Sequence, residues 1–412
     1  MATQQSGTDQ GEHYTIITAD CHAGGSHAMY REYLDPQYRE DFDAWRGEYK
    51  NPFRDLGDKR RYRNWDEEMR ESQQLADGVI GEILFPNTVP PFFPNFVLFA
   101  PPPKPEEYEH RIAGVRAHNR WLVDFCAAHP ERRAGIGQIF LNDVDDALDD
   151  IKWIKENGLR GGVLIPPPPP DATWVRGLYH PDFEPIWELC EDLGVTINTH
   201  SGTGQPAHAD AGAMSRVIFI TETHFYSQRP LVHLMLSGVF ERHPRLKYVN
   251  TELGCAWVPP LLDQLDRVLE RIRDTGQLGE NRYTDEQTLP RSATEYFRQN
   301  CWLGVSFPKR SDAAVMDQIG IDRIMWGSDY PHDEGTYPFT RESLRQLFCD
   351  WSPEDLRTVL SENAAKVYDF DLEALAPLAE EYGPTVDEIR VPLTQLPEDA
   401  NFALTGGTLG MG

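Results

Sequence analysis

Two hydrophobic periods alternate along this chain. Short apolar, largely β-branched runs bounded by Gly, Pro or Asn recur at 14–18, 78–85, 134–141, 161–165, 195–199, 246–251, 301–306 and 323–326. Continuous apolar runs of that length mark strands buried on both faces, as in a parallel sheet. Between them, apolar residues spaced three and four apart predict helices at 106–129, 144–156, 183–193, 230–241 and 259–275, with two more at 341–348 and 353–370. In 259–275, Leu261, Leu262, Leu265, Val268, Leu269 and Ile272 form one stripe, and Asp263, Asp266, Arg267 and Glu270 occupy the opposite face. Eight strand runs with helical patterns between and after them predict one α/β domain, a (β/α)8 TIM barrel over 14–370.

The spacing is uneven where the pattern is interrupted. About sixty residues separate the first two runs, and they carry Tyr30, Tyr33, Tyr38, Trp45, Tyr49 and Trp65. A second insertion, 90–105, is apolar and proline-rich and includes Phe92, Phe93 and Phe96. Such a stiff apolar segment is unlike bare surface, so it either lines a substrate pocket or contacts another subunit. Both insertions are expected to fold over the barrel mouth, with Phe92, Phe93, Phe96 and Trp257 binding substrate. Pro166 to Pro170 cannot continue a strand or helix and make a stiff rim. Residues 1–13 are expected to be disordered, and 371–412 to form an extended arm that helps hold a homodimer together.

The composition adds exclusions. A formal net charge of −27 opposes binding to nucleic acid or an anionic membrane. The densest basic stretch, Lys59 to Arg63, is followed at once by Asp66, Glu67 and Glu68 and reads as a solvated helix start. The first residues contain no apolar export segment, and no run approaches the eighteen or so apolar residues of a membrane span. Six scattered cysteines without a CxxC pair fit a reducing cytosol. The expected partner is a small molecule met in the cytoplasm.

Candidate chemistry lies at the predicted strand ends. The first run leads into Asp20-Cys21-His22, whose i and i+2 side chains share a face in extended backbone. The fifth ends on His200 before the turn Ser201-Gly202-Thr203-Gly204, and the eighth on Asp329 within Gly327-Ser328-Asp329-Tyr330-Pro331-His332. Active sites of such barrels are built from the C-terminal ends of several strands, so Asp20, His22, His200 and Asp329 are expected to converge on one divalent cation. A mixed imidazole and carboxylate set suits zinc first, with manganese and iron also admissible. Water on that cation would be acidified toward neutrality.

These residues, with Glu252-Leu253-Gly254-Cys255-Ala256-Trp257-Val258-Pro259, carry a resemblance to the amidohydrolase superfamily, and within it to amidohydrolase family 2, related to aminocarboxymuconate semialdehyde decarboxylase. The resemblance covers roughly residues 14 to 369. It implies a barrel with one catalytic metal held by the first-strand pair, the fifth-strand His and the eighth-strand Asp, and non-redox cleavage of C–N or C–C bonds or loss of a carboxylate. Three departures stand out. Asp20 replaces the first His of the usual His-x-His. No lysine follows the fourth run, so a metal-bridging carbamylated lysine has no candidate. Glu252 stands where the decarboxylases place a catalytic His.

Glu252 is therefore either a general base or a further ligand. His224 and His332 are candidates for proton transfer, and Glu252 with His224 could hold a second metal. The leading expectation is a metal-dependent hydrolase or carboxy-lyase acting on a bulky apolar or aromatic carbonyl or carboxylate compound. The alternative is a non-haem iron oxygenase, mono- or di-iron, on the same scaffold.

Overall fold

The computed structural model describes residues 11–49, 59–206 and 212–406. Eight parallel strands pair in sequence order: β1 (Ile17–Ala23), β2 (Gly81–Pro86), β3 (Arg133–Gln138), β4 (Gly162–Leu164), β5 (Ile197–His200), β6 (Tyr248–Thr251), β7 (Cys301–Ser306) and β8 (Ile324–Gly327). Every strand residue is buried, which is why these stretches read as unbroken apolar runs. The sheet closes where Asp329 N donates to Asp20 O at 2.9 Å and His22 N donates to Tyr330 O at 2.7 Å. The expected (β/α)8 barrel is the architecture found.

Helices Tyr108–Ala127, Val144–Glu156, Glu184–Leu193, Ala213–Leu236 and Val258–Thr275 follow β2 to β6 in turn. Local chemistry sets their ends. Asp143 accepts from the amides of Asp145 and Asp146 at the start of Val144–Glu156, and Gly276, left-handed at φ 62, stops Val258–Thr275.

Three expectations change. Strand β1 begins at Ile17 rather than at residue 14, because Tyr14 N bonds to Pro384 O in the tail. The helix expected at 230–241 runs from Ala213 to Leu236 and tolerates Pro230, and a separate short helix, Val239–Arg242, follows. The tail is not an extended arm. It forms helix Leu372–Tyr382, and Leu375 and Ala379 pack beside Ile17, Ile80 and Phe370 in the core. Leu372, Leu375, Leu378 and Ala379 are spaced as one helix face, a period legible in the sequence that the glycine-rich end obscured. Residues 1–10 of the stretch expected to be disordered lie outside the described residues, and His13 forms a β-bridge with Thr385.

The long insertion divides into two roles. Its first helix, His27–Tyr33, packs on the flank of Tyr108–Ala127, where the Tyr33 hydroxyl donates to Asp124 at 2.8 Å and Arg120 donates to Tyr33 O at 2.9 Å. Helix Glu67–Ala76 returns to the barrel, and the fully buried Arg70 donates to His22 O at 2.8 Å. Between these parts and the ends of β1 and β2 lies an open cavity of about 640 Å3, walled by His27, Phe42, Arg46, Tyr49, Trp65 and Thr88 among others. That volume falls in the range of small-molecule sites. Among the described residues no helix is long and apolar enough to cross a membrane.

Candidate active site

The register of β1 against β2 slips between Thr18 and Cys21, so Ala19 and Asp20 together face Ile83. A bulge of this kind bends a strand and re-aims its side chains. Here Thr18 fixes it: its hydroxyl donates to Asp20 O at 2.7 Å and accepts from Ser328 N at 2.8 Å. Beyond the bulge, Asp20 and His22 point together into the barrel mouth. Glu252 and Asp329 follow β6 and β8 in left-handed backbone, φ 64 and 61. Side chains other than Gly, Asn and Asp rarely adopt that conformation, and where they do it is concentrated at functional sites.

The ligand-type atoms form one connected group. His22 Nε2 lies 3.4 Å from Asp20 Oδ1 and 3.2 Å from Asp329 Oδ1, and His200 Nε2 lies 3.3 Å from Asp20 Oδ1. Three overlapping sets, Asp20-His22-His200, His22-Asp329-His332 and Glu252-Asp329-Glu334, each bring their ligand atoms within 4.8 Å of one another. Asp20, His22, His200 and Asp329 are at most 1% exposed.

These residues fit a cation. His22 Nδ1 faces Pro86 O at 3.3 Å and His200 Nδ1 faces Ser201 O at 2.9 Å. With its proton on Nδ1, each imidazole turns the Nε2 lone pair toward the centre of the group, as metal-ligating histidines do. His22 Nε2 and Asp329 Oδ2 are buried without a hydrogen-bond partner, positions a metal would satisfy. Without a cation, the group holds protons instead. Burial pulls the His22 imidazolium down, but Asp20 and Asp329 overrule it and raise it to about 10. Glu252 is pushed well above the usual carboxyl range by burial and by the charges of Asp329, Asp20 and Glu334.

His332 has a different geometry. Nδ1 meets Asp329 Oδ1 at 2.7 Å and Nε2 meets Asn87 Oδ1 at 3.0 Å, while Asn87 spends its amide N–H on Asn64. Both nitrogens face acceptors, so His332 orients Asp329 as a proton-bearing group. His224 sits half-buried on Ala213–Leu236 and belongs to none of the three sets. The carboxylates near Glu252 are Asp329 and Glu334. Trp257 donates to Gly254 O at 3.2 Å and packs on the core. Phe93 is buried and stacks on Phe140, Phe96 packs in the same small cluster, and Phe92 faces away toward His110 and Trp45. His208 lies outside the described residues.

Sequence reasoning missed Ser306, Asn87, Glu334 and Arg70. Ser306 ends β7 and donates to Asp20 Oδ2, and Asn87 comes directly after β2, so the strand-end rule could have found both. Nothing local marks Arg70, whose side chain reaches His22 from a helix in the insertion.

The amidohydrolase family profile matches residues 86–370. This chain belongs to the amidohydrolase family. The matched stretch holds His200, Glu252 and Asp329, while β1 precedes it, so Asp20 and His22 join the site on geometry. A gamma-resorcylate decarboxylase of Rhodococcus jostii is 26% identical over 242 residues, spanning 55% of this chain and 69% of that protein. The structure of 5-carboxyvanillate decarboxylase from Sphingomonas paucimobilis superposes with a TM-score of 0.63 at 23% identity, covering 87% of this chain and 100% of that one. A dihydroxybenzoic acid decarboxylase from Polaromonas, solved with manganese and 2-nitroresorcinol, gives a TM-score of 0.58 at 18% identity, covering 86% and 97%. The chain is thus an enzyme of a family that includes carboxy-lyases, with a buried imidazole and carboxylate set that fits a cation. The oxygenase alternative finds no support among these relatives.

Proposed function

We infer that this enzyme removes a carboxylate from an aromatic acid with the help of one divalent cation. The observation that carries the reading is the convergence of Asp20, His22, His200 and Asp329 in one buried set beside Glu252, in a family whose relatives named above are decarboxylases of aromatic acids. In this reading those four residues hold the cation, which supplies a Lewis acid to grip the substrate's oxygens. Zinc, manganese and iron all suit the donor set, and the bound manganese of the Polaromonas enzyme favours manganese among them.

The chain's own residues supply the proton chemistry. Loss of carboxylate from an aromatic ring requires a proton on the carbon that bears it; the C–C bond then breaks, its electron pair returns to the ring and carbon dioxide leaves. Glu252, at 3.3 Å from His200 Nδ1 and crowded by Asp329 and Glu334, is the proposed proton donor, because it enters the group from the end of β6 and burial beside those carboxylates raises its hold on a proton. His332 holds Asp329 in place. His224, Phe92, Phe93, Phe96 and Trp257 take supporting places outside this chemistry.

A homodimer in the cytoplasm belongs to the same reading. It is supported by free thiols at all six cysteines and by the exposed apolar residues Met214, Val217, Ile218 and Phe225 on Ala213–Leu236. The direct test is carbon dioxide release from 2,6-dihydroxybenzoate and other hydroxybenzoates by protein loaded with manganese or zinc. Turnover that disappears on chelation and returns with metal is expected. Hydrolysis of amide or ester substrates with no carbon dioxide from any aromatic acid would place the enzyme among the family's hydrolases and end the proposal.

A further inference from the structure

A second, smaller cavity opens at the ends of β3, β4 and β5, and nothing in the chemistry above uses its wall. It has room for about 30 Å3. Its lining includes Gln138 and Leu164, the last residues of β3 and β4, and Gly202 and Thr203, which follow His200 directly. Phe93 and Arg111 close it from the second insertion and from helix Tyr108–Ala127. A water needs roughly 10–15 Å3 by this measure, so the space suits about two oxygen-sized atoms and no ring.

Two polar side chains in that wall carry buried atoms with no hydrogen-bond partner among the described residues. Arg111 is 2% exposed, and its Nε and Nη2 are buried without an acceptor. Gln138 is equally buried, and neither its amide nitrogen nor its amide oxygen is bonded. The backbone of Gln138 is fixed, since Asn119 accepts from Gln138 N at 2.9 Å and donates to Gln138 O at 2.8 Å. The rings of Phe93 and Phe140 lie 4.2 and 5.5 Å from the Arg111 guanidinium and hold its plane. Gly114, one turn further on, lets the helix touch Pro91 O, where any side chain would collide. The wall is therefore built of well-packed parts.

The bare edge of Arg111 is a specific one. Nε and Nη2 form the side of a guanidinium that grips a carboxylate with two parallel bonds. Elsewhere in this chain Arg31 uses that edge on Asp43 and Arg242 uses it on Glu184. Among the described residues no carboxylate bonds to Arg111. Burial draws its guanidinium down to about 10, against the attraction of Glu107, so it stays cationic at neutral pH. A buried cation and a buried amide that share one small cavity, both unsatisfied, call for a ligand that satisfies both.

We propose that Arg111 and Gln138 form a subsite for a planar carboxylate group, and that its occupant is an acidic substituent of the substrate other than the one removed. The subsite stands on the cavity alone; naming the substrate as the source rests on the decarboxylase reading. The other source of the same chemistry is a free small carboxylate or bicarbonate. The side-on fork of Arg111 holds both oxygens, and the Gln138 amide N–H adds a third donor. An aromatic diacid would then bind more tightly than the matching monoacid.

The experiment compares isophthalate, benzoate and formate on metal-loaded wild type, Arg111→Met and Gln138→Leu, by calorimetric titration and thermal unfolding at constant ionic strength. In wild type, isophthalate should bind about tenfold or more tightly than benzoate, and formate should raise the unfolding temperature. In R111M both advantages should vanish with metal content unchanged, and Q138L should lose part of each. Arg111→Lys keeps the charge without the fork, so it should lose the diacid preference while folding normally, which covers a failure of R111M to fold. Equal binding of isophthalate and benzoate by wild type, or an unchanged preference in R111M and R111K, overturns the proposal. A formate effect that needs Arg111, without any diacid preference, overturns the substrate assignment and leaves the free anion as occupant. Carbon dioxide release is scored separately, so failure of the reaction and failure of the subsite read out differently.

Discussion

Replacing Arg70 by Met tests how the insertion holds the site. Arg70 is 1% exposed and donates from Nε and Nη2 to Glu82 Oε2 at 2.9 and 2.7 Å, and from Nη1 to His22 O at 2.8 Å and Arg63 O at 3.0 Å. Glu82 is itself buried. Burial pushes its carboxyl up, but Arg70 and Arg133 hold it far below the usual range. Breaking a buried pair from one side typically destabilises by about 3–5 kcal/mol. Arg133 still bonds Glu82 at 3.0 Å, and Met keeps the apolar stem, so the expected loss is at the lower end, about 3 kcal/mol. With an unfolding entropy of about 2.1 cal/mol/K per residue over this chain, that lowers the melting temperature by roughly 3–4 °C. Releasing the His22 carbonyl also loosens the strand that carries two ligand-type residues, so metal affinity should fall about tenfold, the low end for partners of ligands. Urea unfolding of metal-free protein and metal titration by elemental analysis read the two effects apart. Arg70→Lys should do little better, because one ammonium cannot fork Glu82 and reach His22 O together. Wild-type urea midpoints and metal affinity in R70M would refute the reasoning.

Three further outcomes follow from the same geometry. Asp329→Asn should lose stoichiometric divalent metal in elemental analysis while keeping a native circular dichroism spectrum; full metal retention would remove Asp329 from the ligand set. Glu252→Gln should keep its metal and lose about 10²–10⁴-fold in kcat with KM little changed, and a variant that turns over normally would show that the proton comes from elsewhere. Burial alone lowers His118 from 6.5 to about 3, so its neutral form is the folded one. Its contribution to stability is fully present above pH 6.5 and is lost as pH falls toward 3, reaching about 2 kcal/mol at pH 5. His118→Gln should flatten that acid limb in urea titrations between pH 4 and 7, and an unchanged slope would assign the acid sensitivity to other groups.

The strands are legible in the sequence because each is buried on both faces and so reads as an unbroken apolar run. Boundaries are less so. Tyr14 belongs to the apolar run before β1, yet its amide pairs with Pro384, a partner more than three hundred residues away that no local pattern announces. The tail shows the opposite case: Leu372, Leu375 and Ala379 carry a helical period that composition near the end hides.

Asp20, His22, His200 and Asp329 stand out in the sequence alone, since a strand end is a local feature and barrel topology gathers such ends at one mouth. What they do there is a tertiary decision. The bulge at Asp20 aims its carboxylate, Ser201 O and Pro86 O set which imidazole nitrogens face the centre, and Asn87 turns His332 from ligand to proton-bearing partner of Asp329. His224 and Glu252 look equivalent in the sequence, and only the folded structure shows Glu252 within one of the ligand sets and His224 in none of them. Periodicity, and with it the barrel and the strand-end residues, is written along the chain, because burial leaves its mark on neighbouring positions. Hydrogen-bond partners, protonation and the unmatched edge of Arg111 depend on groups brought together from distant parts of the chain, so they exist only in the folded molecule.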